Sequence, residues 1–222
     1  MSESKTTKVP TYRPDVFEVN DLESAMQIIL TPETGTTTKE RWEYETPYLV
    51  GEIGRALGLD DNSCVLDYGC GVGRIARGLI ERHNCFVIGV DISTSMRQLA
   101  PEYVKSDRFS ICAPAMLDRM VARGLRVTHA YACWVIQHCL APETDLARID
   151  SALANDGRLF VLNGNHRCVP TEHGWASDGI SVEAILTRRF EKIAKSGLPE
   201  VITTPEIANG TYTMTLRKRM IE

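Results

Sequence analysis

The sequence predicts an α/β fold: a doubly wound, seven-stranded, mostly parallel sheet with an antiparallel last strand and a helical N-terminal extension. Three observations predict it. From residue 63 onward, short apolar runs alternate with amphipathic helical stretches, the pattern of parallel strands joined by helical crossovers. The first run leads into VLDYGCGVGR at 65–74, where three alternate glycines let backbone approach a ligand that a side chain would exclude. Near the end of the chain, two strand-like runs are separated by too few residues for a crossover, so they must pair antiparallel.

Residues 1–20 mix Pro, Thr and charged residues without periodicity and read as a loose arm. Asp21 is placed to cap a short helix over 22–30, whose apolar positions leave one broad face to bury. TPETGTTT breaks that helix, and a longer one follows over 39–57, interrupted or kinked at Pro47 and stopped by Gly58. The expected division is thus an arm and short helix over 1–37 and a main domain over 38–222. Within that domain the strands fall at 64–68, 85–91, 109–112, 127–135 and 158–163. Helices fall between them at 72–82, 94–104, 115–123 and 143–154, with Asn155-Asp156-Gly157 as a turn. A helix at about 181–195 precedes the last two strands, 201–205 and 211–219, joined at Asn209-Gly210.

Bulk properties exclude several classes. A net charge of -4 disfavours a nucleic-acid partner, and the one dense basic cluster, Arg217 to Arg219, reads as a solvated strand end. No apolar run is long enough to span a bilayer, and MSESKTTKVP lacks the apolar core of a secretory signal. The seven cysteines form no CxxC pair and sit mostly in apolar strands, which fits a cytoplasmic protein with no structural metal. Nothing in the sequence encodes the oligomeric state.

The glycine stretch admits two cofactors. Gly71-x-Gly73-x-x-Ala76, with Asp91 further on, fits a dinucleotide fingerprint. Asp67, just before the glycines, instead suits a ligand with a cationic amino group and would repel a pyrophosphate. Four motifs in order favour the second choice. VLDYGCGVGR resembles the first motif of the class I S-adenosylmethionine-dependent methyltransferases, VIGVDIS (87–93) their acidic second-strand motif, and LANDGRLFVLN (153–163) their fifth-strand motif. WVIQHC (134–139) is similar to the segment after their fourth strand, and the terminal antiparallel pair matches their seventh strand.

The resemblance covers about residues 38–222 and implies a Rossmann-like methyltransferase fold with S-adenosylmethionine as cofactor. It implies that Asp67 helps hold the methionine amino end, and that Gly69, Cys70, Gly71 and Gly73 form the close-approach loop. Asp91 would accept from the ribose hydroxyls while Ile92 packs on the adenine. Cys133 and Trp134, ending the fourth strand, complete the cofactor set. Two departures stand out: Pro114 occupies the place of the family's adenine-binding acid, leaving Ala115 and Met116 as candidates, and His129 replaces a frequent Asp.

Methyl transfer to a hydroxyl or amine needs a base. His138, after the fourth strand, and His166, after the fifth, are the catalytic candidates. On the acceptor side the long loop HRCVPTEHGWASDG (166–179) offers Arg167, Trp175 and Asp178. Arg41 and Trp42 are candidates for a lid over the cofactor or acceptor. The expected partner is a small-molecule or sugar-like acceptor, methylated at oxygen or nitrogen. A protein or RNA methyltransferase, or a non-catalytic binder of the same fold, is the alternative.

Overall fold

A computed structural model describes residues 11–33 and 35–220; the first half of the expected arm lies outside the described residues. In chain order the elements begin with a 3-10 turn at Pro14–Phe17, α1 (Leu22–Ile29) and α2 (Thr38–Leu57). They continue with β1 (Cys64–Tyr68), α3 (Arg74–His83), β2 (Phe86–Val90), α4 (Thr94–Val104), β3 (Phe109–Cys112) and α5 (Pro114–Ala122). Next come β4 (Val127–Cys133), α6 (Pro142–Ala152), β5 (Leu153–Gly164), β6 (Val169–Thr171) and β7 (Gly174–Ala176). The chain closes with α7 (Val182–Arg189), β8 (Phe190–Ser196), α8 (Pro205–Asn209) and β9 (Thr211–Lys218).

Seven strands form one sheet in the order β3-β2-β1-β4-β5-β9-β8. The first five in that order run parallel, and β9 pairs antiparallel with both β5 and β8. Alternate residues face opposite sides, so both faces must be covered. Leu66, Ala130 and Val161 pack against α5, α6 and α7 through Leu117, Leu146, Ile149 and Leu186. Val65, Val87, Tyr131 and Phe160 pack against α2, α3 and α4 through Leu49, Ile53, Leu79 and Val104. The strand order reverses between β1 and β4, where parallel α/β sheets leave a crevice at their carboxyl ends.

Local chemistry sets the boundaries. Asp21 and Thr37 each form a capping box, and Gly58 ends α2 at φ 71°, in the left-handed region. Helix α2 runs unbroken through Pro47, which sits on its exposed side.

Three expectations need correction. Residues 201–205 are not a strand: Thr204 caps α8, with Pro205 in its first turn, and the partner of β9 is β8. Residues 190–195 therefore leave the expected helix. As an edge strand with only Phe190 buried, β8 carries no alternating apolar signal. Asn155 to Gly157 do not separate a helix from a strand but lie within β5. There the register slips between Val127 and His129, and Asp156 takes φ 62°. Finally, the stretch over 166–179 is no open loop, because β6 and β7 form a hairpin within it. Backbone bonds tie that hairpin to the N-terminal segment, from Arg13 N–H to the Pro170 carbonyl and from Glu172 N–H to the Thr11 carbonyl.

Candidate cofactor and acceptor site

A cavity of about 750 Å³ opens over the carboxyl ends of β1, β2, β4 and β5. Its floor is the glycine loop after β1. The Gly69 and Cys70 N–H groups donate to the Val90 carbonyl, and the Gly71 N–H donates to Asp91 Oδ2 at 2.7 Å, which ties the loop to the end of β2. Gly71 adopts φ 54°, a backbone conformation that favours glycine, and a Cβ there would lie 2.7 Å from Ile29 Cδ1 and push that side chain aside.

Of the expected cofactor residues, Gly69, Gly71, Asp91, Ile92, Cys133 and Trp134 line this cavity. Asp67, Cys70 and Gly73 stand behind its wall, and Asp67 is buried. Burial pushes the Asp67 carboxyl up to about 7; Tyr131 opposes the rise, Asp91 adds to it and Arg74 opposes it. Burial also raises Asp91, against the Ser93 and Gly71 N–H groups that donate to it. Ala115 and Met116 lie outside the wall, and Pro114 lines it in their place. Trp134 reaches the cavity with a left-handed backbone, φ 62°, uncommon for a bulky residue and characteristic of functional turns.

The expected lid pair separates. Arg41 lines the cavity, its Nε 2.7 Å from Glu45 Oε1 and its Nη1 2.8 Å from the Thr31 carbonyl. Trp42 turns away and donates from Nε1 to the Tyr103 hydroxyl at 3.2 Å, beneath the Arg74 guanidinium. It therefore anchors α2 to α4 and does not cover the cavity. The cover is instead α1 with the N-terminal segment, whose Tyr12 and Phe17 line the wall. Glu18 holds this segment in place by accepting from the Thr94 and Ser95 N–H groups, at 2.8 and 2.9 Å. Those bonds bring the Glu18 carboxyl down to about 2.

On the acceptor side, His138 and Trp175 line the cavity, whereas His166 is exposed and outside it. Arg167 and Asp178 are also outside. The guanidinium is buried, bonds Asp178 at 2.8 Å and donates to the Ile136, Cys139 and Leu140 carbonyls. These two residues clamp the hairpin and leave no donor for a substrate.

His138 Nδ1 lies 2.6 Å from the Cys168 carbonyl, which can only accept, so Nδ1 carries the proton and Nε2 the lone pair. Burial holds its pKa below the ordinary imidazole value; the Cys168 bond works against this and the Arg167 charge with it. Gln137 holds Nε2 at 3.2 Å while its own Oε1 accepts from the Gly164 N–H. Among the described residues no cluster of His, Cys, Asp and Glu could hold a metal, and no helix is long and apolar enough to cross a membrane.

A family model described as a methyltransferase domain matches residues 66–161, from β1 into β5. Over those residues the chain carries a methyltransferase domain. No curated protein matches it by sequence. Solved structures share the fold at low identity. A putative sarcosine dimethylglycine methyltransferase from Galdieria sulphuraria is 12% identical with a TM-score of 0.63, covering 83% of this chain and 89% of that one. A geranyl diphosphate methyltransferase in complex with SAM is 14% identical with a TM-score of 0.61, covering 87% and 95%. The N-methyltransferase NodS from Bradyrhizobium japonicum, in complex with S-adenosyl-l-homocysteine, is 15% identical with a TM-score of 0.59, covering 81% and 88%.

The matched stretch of the methyltransferase stops short of Tyr12, Phe17, Cys168 and Trp175, so much of the acceptor wall lies outside it. Tyr12 and Phe17 gave no signal in the sequence because they sit in an aperiodic segment. Gln137 was readable only as the neighbour of His138.

Proposed function

We propose that this methyltransferase moves a methyl group to a hydroxyl or amine of a small-molecule acceptor held over the ends of β4 and β5. One observation carries the reading: His138, with its tautomer set by the Cys168 carbonyl, stands on the wall of the cavity that the glycine loop floors. When bound, S-adenosylmethionine supplies a methyl group already activated on a sulfonium.

The residues present fit that cofactor. Each Asp91 oxygen accepts one backbone N–H and keeps a second lone pair for a ribose hydroxyl. Ile92, exposed on the wall beside it, offers an apolar face to the adenine. Asp67 behind the loop favours the cationic amino end, and Arg41 suits the carboxylate end. His138 Nε2, once the Gln137 amide that donates to it is displaced by the acceptor, takes the proton that the acceptor gives up, and the covering segment over 11–19 limits water. A net charge of -4 and a single cationic side chain on the described wall favour a small acceptor over an anionic polymer. Seven unpaired cysteines fit a cytoplasmic setting.

The test is a His138→Ala variant assayed beside the parent for turnover of a methyl acceptor and for S-adenosylhomocysteine affinity. Turnover falls by about 10²-fold or more while cofactor affinity stays within about twofold. Unchanged turnover removes His138 as the base.

A further inference from the structure

We infer that the acceptor is a flat, apolar, ring-bearing compound that carries no anionic group. This rests on the methyl-transfer reading above and names the class of molecule the acceptor side takes.

Three aromatic side chains from separate segments meet on the wall. Phe17 lies 6.0 Å from His138 and 6.1 Å from Trp175, and His138 lies 5.3 Å from Trp175, between ring centroids. The planes are inclined by 59–60°, so the rings pack edge against face as one continuous surface. Besides Ile92 at the proposed adenine position, two large apolar side chains on the same wall stay uncovered, Trp175 at 49% and Leu140 at 58% exposure. Apolar area of this kind inside a concave site binds apolar ligand surface.

Charge narrows the class further. The described wall carries the carboxylates Glu33, Asp91, Asp145 and Glu206 against one cation, Arg41, which Glu45 and the Thr31 carbonyl already engage. A phosphate or carboxylate on the acceptor would lose water there without gaining a counter-charge. Several of the polar side chains around His138 are also committed. Gln137 bonds Gly164 and His138, Asp145 bonds the Tyr68 hydroxyl and Arg148, and Arg167 is spent on carbonyls. Beside this aromatic corner an apolar ring therefore finds better-matched surface than a sugar.

The experiment is calorimetry with 1-naphthol, 1-naphthyl phosphate and glucose, with and without S-adenosylhomocysteine. We expect 1-naphthol to bind about tenfold or more tightly than its phosphate, and glucose more weakly than either. Trp175→Ala and, separately, Leu140→Ser each weaken 1-naphthol about fivefold while S-adenosylhomocysteine affinity holds. Equal or tighter binding of the phosphate, tighter binding of glucose, or indifference of 1-naphthol to both substitutions overturns the inference. Failure of S-adenosylhomocysteine to bind would remove the methyl-transfer reading instead, and the naphthol series run without it still decides the acceptor class.

Discussion

Asp67 titrates where the cell works. With its carboxyl raised to about 7, lowering the pH protonates it and, on the function proposed above, removes the charge that would favour the cofactor's cationic amino group. Cofactor affinity therefore rises as pH climbs through about 7, and Asp67→Asn flattens that dependence by several-fold between about pH 6 and 8, read by calorimetry. For folding, the raised pKa means the protonated native form is favoured. That contribution is complete below the ordinary carboxylate range and is lost as pH rises through about 7. His138 moves the other way. Its pKa is lowered, so it is neutral and able to accept a proton at neutral pH. At this scale the floor of the cavity was legible because it is local: the glycines and Asp91 fall within one β-α-β unit. The roles of Trp42 and Arg167 were not, since each depends on a partner from another element, Tyr103 and the carbonyls after β4.

The N-terminal segment over 11–19 contains only one 3-10 turn and is held at both ends. Glu18 spans the start of α4, and Tyr12 forms an antiparallel bridge to Thr171 of β6, flanked by the Thr11 and Arg13 backbone bonds to the hairpin. Glu18→Ala should raise amide hydrogen exchange over 11–19 roughly fivefold and leave the β1–β5 sheet unchanged. Equal protection in the variant would show that the hairpin contacts alone hold the segment. Helices with clear start signals were readable from sequence: capping residues mark α1 and α2, and Pro142 in the first turn marks α6. The strand β8 was not, because its burial is supplied almost entirely by Phe190 and its pairing by a strand still to come in the chain.

At the scale of the molecule, β9 is the keystone of the sheet, joined on one side to β5 and on the other to β8. Its Tyr212, Met214 and Leu216 are buried in the α5–α7 face. Losing three such side chains costs about 2–5 kcal/mol each, comparable with the whole stability of a domain. Ending the chain after Asn209 should therefore abolish the cooperative thermal transition in circular dichroism, whereas an intact transition would show that β1–β5 suffice. The parallel direction of the first five strands was legible from alternation, and the antiparallel direction of the last from the break in it. Its partner strand was misread because Thr204 and Pro205 start a helix where β-branched residues suggested a strand. The reversed direction of β9 has a practical side. Thr211 begins at the cavity rim beside Gly164, and Lys218 ends at the opposite edge of the sheet, next to Phe190. An immobilising tether attached beyond Lys218 leaves the mouth free for exchange of small molecules, whereas one attached ahead of Thr11 would hang beside the hairpin that forms its rim.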